Sequence, residues 1–209
     1  MSHVVLLGDS IFDNGAYVGG GPDVVTQLRS RLPAGWRATL RAVDGAFTSG
    51  VRRQVQQIPA DASHLVISTG GNDALGQSGV LDERAYSIAG AVDRLAGVRE
   101  QFQRDYRAML DEVLVRRLPT AVCTIYDARY PDPQRQRLVV TALTIFNDVI
   151  TREAFGRGLP LIDLRLVCDE DKDYANPIEP SAHGGAKIAR VIAALVTAPA
   201  ARRPEVYVR

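Results

Sequence analysis

The chain is poor in the residues that mark many specialised chemistries. It has only two cysteines and three histidines among 209 residues, which excludes a disulfide framework and a Cys/His zinc site. Cys123 falls in the apolar run Ala121–Tyr126, where a thiol packs as a small buried hydrophobe, and Cys168 stands beside an acidic loop. Charge of one sign is also missing. The balance of 25 basic to 24 acidic side chains, net +1, offers no electrostatic footing for nucleic acid or an anionic membrane. No apolar run approaches the ~20 residues of a membrane span. The first apolar run starts almost at Met1 and leaves no room for a signal peptide, so the expected location is cytoplasmic.

Ligand signatures are sparse as well. Gly19-Gly20-Gly21 belongs to neither a G-x-x-x-x-G-K-[ST] loop nor a G-x-G-x-x-G turn after a strand, and it reads as a flexible loop lining a cleft. Asp169, Glu170, Asp171 and Asp173 lack the glycine and the closing glutamate of a calcium loop. No metal and no cofactor are expected.

What is present is an alternation of buried strands and amphipathic helices. Val4-Val5-Leu6-Leu7 is apolar on both faces, the mark of a strand inside a parallel sheet. Further strands are predicted over 36–43, 65–69, 120–126 and 159–164. Helices are predicted from Pro22 to Leu32, over the turns carrying Val51, Val55 and Ile58 after a Thr48 or Ser49 cap, and from about 83 to 117. Gly90 and Gly97 are expected to break or bend that long helix. Two more run from about Gln134 to Phe155 and from about Ala182 to Val196. Phe102, Tyr106, Met109, Leu110 and Val113 form one stripe of the long helix, the spacing of a face packed on a sheet. The expectation is a three-layer α/β fold, flavodoxin-like, with a five-stranded parallel sheet in the order 2-1-3-4-5. Residues 1–198 would form one domain, with 199–209 a loosely held tail.

That topology gathers the strand-end loops at one edge, where open α/β sheets bind ligands. Four stretches meet there: Gly8-Asp9-Ser10 after the first strand, Asp44-Gly45-Ala46 after the second, Gly70-Gly71-Asn72-Asp73 after the third, and the loop 176–184 before the last helix. Together they resemble the four blocks of the GDSL-type, or SGNH, hydrolase family, in order and over nearly the whole chain. The resemblance implies that Ser10 attacks an ester carbonyl without metal or cofactor, with hydrolysis and acyl transfer to another acceptor both open. It also implies that the backbone N–H groups of Ser10 and Gly45 and the Asn72 amide stabilise the oxyanion. Asp9, Asp73 and Asn176 are assigned to the surroundings of a small ester substrate, with Asp9 and Asp13 also serving as local scaffolding.

The fourth block departs from the family. Its pattern is D-x-x-H, then Pro-Ser or Pro-Asn, with a glycine three residues on. Aligning Pro180-Ser181 and Gly184 to that pattern puts Glu179 where the histidine belongs and Asn176 where the aspartate belongs. Three readings stay open. Glu179 is the base, raised in pKa by a partly dry cleft and oriented by an Asn176 N–H. Alternatively His183, in the first turn of the last helix, pairs with Glu179 or reaches Ser10. In the third reading the fold binds an acyl or glycosyl ligand without turning it over. His3 and His64 precede strands at the opposite edge and are expected to be inert. Whether 76–81 acts as a lid is left open.

Overall fold

A computed structural model describes residues 2–198; the tail expected over 199–209 lies outside the described residues. Five strands, β1 (His3–Gly8), β2 (Arg37–Leu40), β3 (His64–Ser68), β4 (Thr120–Cys123) and β5 (Leu161–Ile162), pair in parallel in the order β2-β1-β3-β4-β5. This is the predicted order. β1 sits second in the sheet, and its side chains divide between two cores. Val4 and Leu6 pack under α1 (Val24–Arg31) and α7 (Ala182–Thr197), whereas Val5 and Leu7 pack under α2 (Val51–Val55), α4 (Ile88–Leu114) and α5 (Pro133–Gly156). All four are fully buried, each contributing about 1.5–3 kcal/mol relative to an exposed side chain. Two short helices, α3 (Gly71–Gly76) and α6 (Leu164–Val167), and an antiparallel pair, β6 (Tyr174–Asn176) with β7 (Glu179–Pro180), complete the frame.

Several boundaries differ from expectation, each for a local reason. Pro22 precedes α1 instead of opening it, because Asp23 is the N-cap and its carboxylate accepts the Thr26 N–H at 2.8 Å. The long helix starts at Ile88, where the Ser87 hydroxyl accepts the Gly90 N–H, and neither Gly90 nor Gly97 breaks it. β2 and β4 are shorter than predicted because the chain leaves the sheet at Leu40 and Cys123 to build the loops of the site. α6 was not foreseen. Asp163 ends β5 by accepting the Arg165 N–H and capping the new turn. Thr48 opens a 3-10 turn rather than capping a helix, and its hydroxyl is committed elsewhere. Cys168 is 2 % exposed and packs in the core despite its acidic neighbours, and both thiols are free. Among the described residues no helix is long and apolar enough to cross a membrane.

Candidate active site

The site begins where β1 stops. Gly8 has φ +126°, and a side chain there would overlap the Ser68 carbonyl oxygen of the adjacent strand. Only glycine lets the chain turn so close to β3. The end of β1 is tied down by a residue that sequence reasoning missed. Buried Gln54 of α2 accepts the Gly8 N–H at 2.7 Å and donates to the Gly8 carbonyl at 2.8 Å. No side-chain motif marks a glutamine for this role; it becomes recognisable only once α2 lies against β1. The turn that follows leaves Ser10 7 % exposed on the floor of a cleft.

Gly45 occupies the third position of a turn closed by the Ala46 N–H on the Val43 carbonyl, and its φ of +75° is that of a type II turn. Asp13 holds this turn beside the Ser10 loop by accepting the Asp44 N–H at 2.9 Å. Among the described residues, no acceptor takes up the N–H of Ser10 or of Gly45. Asn72, in the first turn of α3, donates one amide hydrogen to the Ala46 carbonyl at 3.1 Å. Its second hydrogen stays free, since a carboxamide nitrogen carries two. The three donors implied by the family resemblance therefore belong to three strand-end segments, and the Gly45 loop is bonded to the other two through Asp13 and Asn72.

Asp73 strengthens the same junction. Its carboxylate accepts both the backbone N–H and the hydroxyl of Thr48 at 2.9 Å. It does not line the cleft, so its contacts are those of scaffolding, not of the substrate role assigned to it. Asp9 does line the cleft, but it is 3 % exposed and accepts the Ile11 N–H at 3.2 Å. Burial first, then the charges of Glu179 and Asp73, push its carboxyl up to about 8, against the pull of the Ile11 hydrogen bond.

Glu179 enters from the other side on β7. It lines the cleft with Ser10 and is 7 % exposed, and its Oε2 is buried with no hydrogen-bond partner. Burial raises its pKa above the ordinary carboxylate value, the Ser10 hydroxyl donating towards it draws the value back, and the Asp44 charge adds to the rise. Three ties hold its loop in place. Buried Asn14 donates to the Pro180 carbonyl at 3.2 Å and accepts the Val24 N–H at 3.0 Å, joining the Ser10 loop to β7 and α1. Tyr126 donates to the Ile178 carbonyl at 2.7 Å. Asn176 is exposed, and its Oδ1 accepts the N–H groups of both Ile178 and Glu179 at 3.0 Å. It thus shapes the turn as an acceptor, where an N–H donated to the Glu179 carboxylate was expected. Neither Asn14 nor Tyr126 carries a role in the sequence reading; the position of Asn14 four residues after Ser10 was the available signal.

His183 does not join this group. Its backbone N–H donates to the Ser181 cap, and its ring, 48 % exposed, places Nε2 3.6 Å from Asp173 Oδ1 rather than against Glu179. Glu170, Asp173 and His183 present ligand atoms within 4.8 Å of one another. However, the Lys187 ammonium lies 2.8 Å from both Asp169 and Asp173 and already supplies the counter-charge there. The Gly19–Gly21 loop, expected along the cleft, is absent from its lining; Gly21 packs beside Ala182 instead. His3 lies at the opposite edge, bonded to Asp61 and Thr39.

The cleft is open to solvent at its mouth. From Ser10 it extends past α3 and between α4 and α5, over Leu75, Leu81, Leu95, Val98, Val139 and Leu143. The segment 76–81 becomes mostly a 3-10 helix over Ser78–Asp82 and forms part of this wall.

The model of a GDSL-like lipase/acylhydrolase family matches residues 6–190. No curated protein matches the sequence. The fold is similar to that of an extracellular lipase from Streptomyces rimosus, with TM-score 0.66 and 18 % identity over 92 % of this chain and 98 % of that one. It is also similar to a phospholipase A1 from Streptomyces albidoflavus, with TM-score 0.65 and 16 % identity over 94 % and 99 %. An aryl esterase from M. smegmatis matches with TM-score 0.66 and 14 % identity over 94 % and 98 %.

Proposed function

The chain belongs to the GDSL-like lipase/acylhydrolase family, and on that premise we propose that it cleaves esters through an acyl intermediate on Ser10, with Glu179 as the base. The observation that carries this reading is the meeting of Ser10 and Glu179 on the floor of one cleft. Both side chains line that cleft, the Glu179 carboxyl is buried, and among the described residues no acceptor takes up the backbone N–H groups of Ser10 and Gly45.

A hydroxyl needs a base to become a competent nucleophile. Glu179 takes the Ser10 proton as Oγ bonds to the carbonyl carbon. The charge that moves to the carbonyl oxygen meets the Ser10 and Gly45 N–H groups and the free Asn72 hydrogen, a preorganised set of dipoles. The protonated Glu179 then delivers its proton to the departing alkoxide. In the second half, Glu179 takes a proton from water, the hydroxide adds to the acyl carbon, and Ser10 leaves with the proton returned. A carboxylate at its usual pKa of roughly 4.3 would be a feeble base. Burial of Glu179 raises it towards working pH, and no like charge at 176 repels it, because that position is the neutral Asn176.

The test is covalent labelling with a fluorophosphonate probe and mapping of the attachment site, alongside p-nitrophenyl acetate hydrolysis by wild type and Ser10→Ala. Labelling at Ser10 and loss of turnover in the variant are the expected results. A wild type that neither labels nor turns over short esters would favour a silent binding module on the same fold.

A further inference from the structure

We propose that the end of the cleft remote from Ser10 binds a carboxylate through Arg135, so that the preferred substrates are esters with a carboxylate at the end away from the scissile bond. This rests on the serine-hydrolase reading above and adds to it a substrate class.

The charges that line the cleft are divided by position. Asp9 and Glu179 stand at the Ser10 end, and Arg135 is the single cation in the lining among the described residues. Arg135 belongs to the first turn of α5. Phe146 of the same helix packs on Phe102 with ring centroids 4.8 Å apart, and Phe102 lies beside Gly70, just after β3. From Arg135 to Phe146 is about 16 Å of helix axis at ~1.5 Å per residue, so the cation and the nucleophile stand at opposite ends. A substrate carboxylate near Ser10 faces two acidic side chains and adds to the negative charge that develops on the ester oxygen. At the Arg135 end it faces a cation.

The guanidinium is held in the wall and left without a hydrogen-bond partner. The Arg135 side chain is 31 % exposed, and its ion-pair partner, Asp82 at the end of the 3-10 helix Ser78–Asp82, stands 3.7 Å away. That is beyond hydrogen-bond reach. By contrast, Arg94, Arg107 and Arg157 meet carboxylate oxygens at bonding distance. Asp132, the N-cap of α5, commits its carboxylate to the Arg135 backbone N–H at 2.6 Å. Among the described residues, none of the five guanidinium N–H groups has an acceptor. A cation in the first turn of a helix also opposes the macrodipole, so α5 itself gains nothing from an arginine there.

Neutral donors share this end of the cleft. Gln136 brings Tyr130 beside the first turn of α5, accepting the Tyr130 N–H at 2.8 Å and donating to the Ala128 carbonyl at 2.5 Å. Tyr130, Gln77 and Ser78 line the cleft, and their side chains make no hydrogen bond among the described residues. Two hydroxyls and an amide therefore stand with one guanidinium, and all can donate. One cation balances the single charge of a carboxylate, whereas a phosphate monoester, at about −1.5 to −2, exceeds it.

The experiment compares esters that differ in one terminal charge. The mono-p-nitrophenyl esters of octanedioic, decanedioic and dodecanedioic acid are set against the same esters with the far carboxyl capped as a methyl ester. The acetate esters of 10-hydroxydecanoic acid and of its methyl ester present the carboxylate from the alcohol side. A charge-assisted hydrogen bond is worth about ten- to a hundredfold. The best free acid is therefore expected to exceed its capped partner at least tenfold in kcat/KM, chiefly through KM. Arg135→Gln is expected to bring this ratio near one, and Arg135→Lys to restore part of it. Asp82→Asn, which removes the competing carboxylate, is expected to raise it by up to about fivefold. Each ratio is read on one preparation and is independent of the folded fraction.

Saturation-transfer NMR on Ser10→Ala protein, with monomethyl against dimethyl decanedioate, reads the subsite without catalysis. Equal turnover of free and capped esters in both arms, or a preference that Arg135→Gln leaves intact, would overturn the subsite and leave the hydrolase reading standing. Binding of the monomethyl but not the dimethyl ester, lost when Arg135→Gln is added, with no ester hydrolysed by wild type, would support the subsite and remove the hydrolase reading.

Discussion

Replacing Glu179 by glutamine changes one heavy atom and removes the carboxylate proposed to accept the Ser10 proton. The glutamine has the same shape, so Asn14, Tyr126 and Asn176 continue to hold β7 through backbone groups. What is lost is proton acceptance, which is worth about 10²–10⁴ in rate, or roughly 3–5 kcal/mol of barrier. Substrate binding is untouched, so the loss should appear in kcat and not in KM for p-nitrophenyl acetate. Stability should move the other way. The wild-type carboxyl is buried with an unpartnered oxygen, and a neutral amide avoids desolvating a charge, so the Tm of Glu179→Gln at pH 8 should equal or exceed that of wild type. His183→Ala, which removes an exposed ring facing Asp173, should leave kcat within about twofold, a factor worth ~0.4 kcal/mol.

The pH profile supplies an independent check. Burial raises the Glu179 pKa and only the ionised form accepts a proton, so activity should fall with acid through an apparent pKa above the ordinary ~4.3. The pair Glu179→His with Asn176→Asp keeps an oxygen acceptor at 176 for the two backbone N–H groups. It should move that acid limb towards the imidazole value of ~6.5. A Glu179→Gln protein that keeps more than a tenth of wild-type kcat would refute the base assignment, most plainly if His183→Ala were the damaging change.

Asn72→Ala removes both the donor proposed for the oxyanion and the bond to the Ala46 carbonyl; kcat should fall about 10²–10³-fold, and a fall below fivefold would remove Asn72 from the oxyanion site. Gly8→Ala places a methyl group into the Ser68 carbonyl at φ +126°. The cost should be ~3 kcal/mol or more, read as a lower urea midpoint, and a midpoint equal to wild type would contradict the close approach of β1 and β3. Asp9 has its carboxyl raised to about 8 by burial, against roughly 3.9 in the unfolded chain. Between those values the unfolded chain has released a proton that the folded one keeps, so the Asp9 contribution to stability is full at low pH and is lost as pH rises through this window. Asp9→Asn should flatten that decline in thermal melts taken from pH 4 to pH 8, and an unchanged slope would show that Asp9 is not the group responsible.

The sheet order and the positions of Ser10, Gly45 and Asn72 after strands were legible because they depend on local pattern. Val4-Val5-Leu6-Leu7 is apolar on both faces whatever surrounds it, and a strand followed by glycine places the next residue at the sheet edge. The substitution of Glu179 for the family histidine was equally visible, since Pro180, Ser181 and Gly184 fix the frame. Less legible were elements whose stability comes from partners distant in sequence. The β6–β7 pair has two or three residues per strand, too few to show a period, and it exists through Asn14, Tyr126 and Asn176. α6 depends on the Asp163 cap and on the Thr124 hydroxyl of the neighbouring strand end, which accepts the Leu164 N–H.

By itself, then, the sequence determined the chain's family, its α/β order and the residue types brought to the strand ends, because hydrophobic periodicity and glycine placement are properties of neighbours along the chain. Tertiary structure alone decided how those residues divide their work. Asn176 became an acceptor for its own turn, Asp73 a clasp on Thr48, and His183 a neighbour of Asp173, because each polar atom bonds whatever the packing of β7, α3 and α7 brings within about 3 Å. The burial that raises Glu179 and Asp9 and the apolar channel between α4 and α5 arise in the same way. Both are properties of the space enclosed between elements, and no linear stretch of the chain encodes that space.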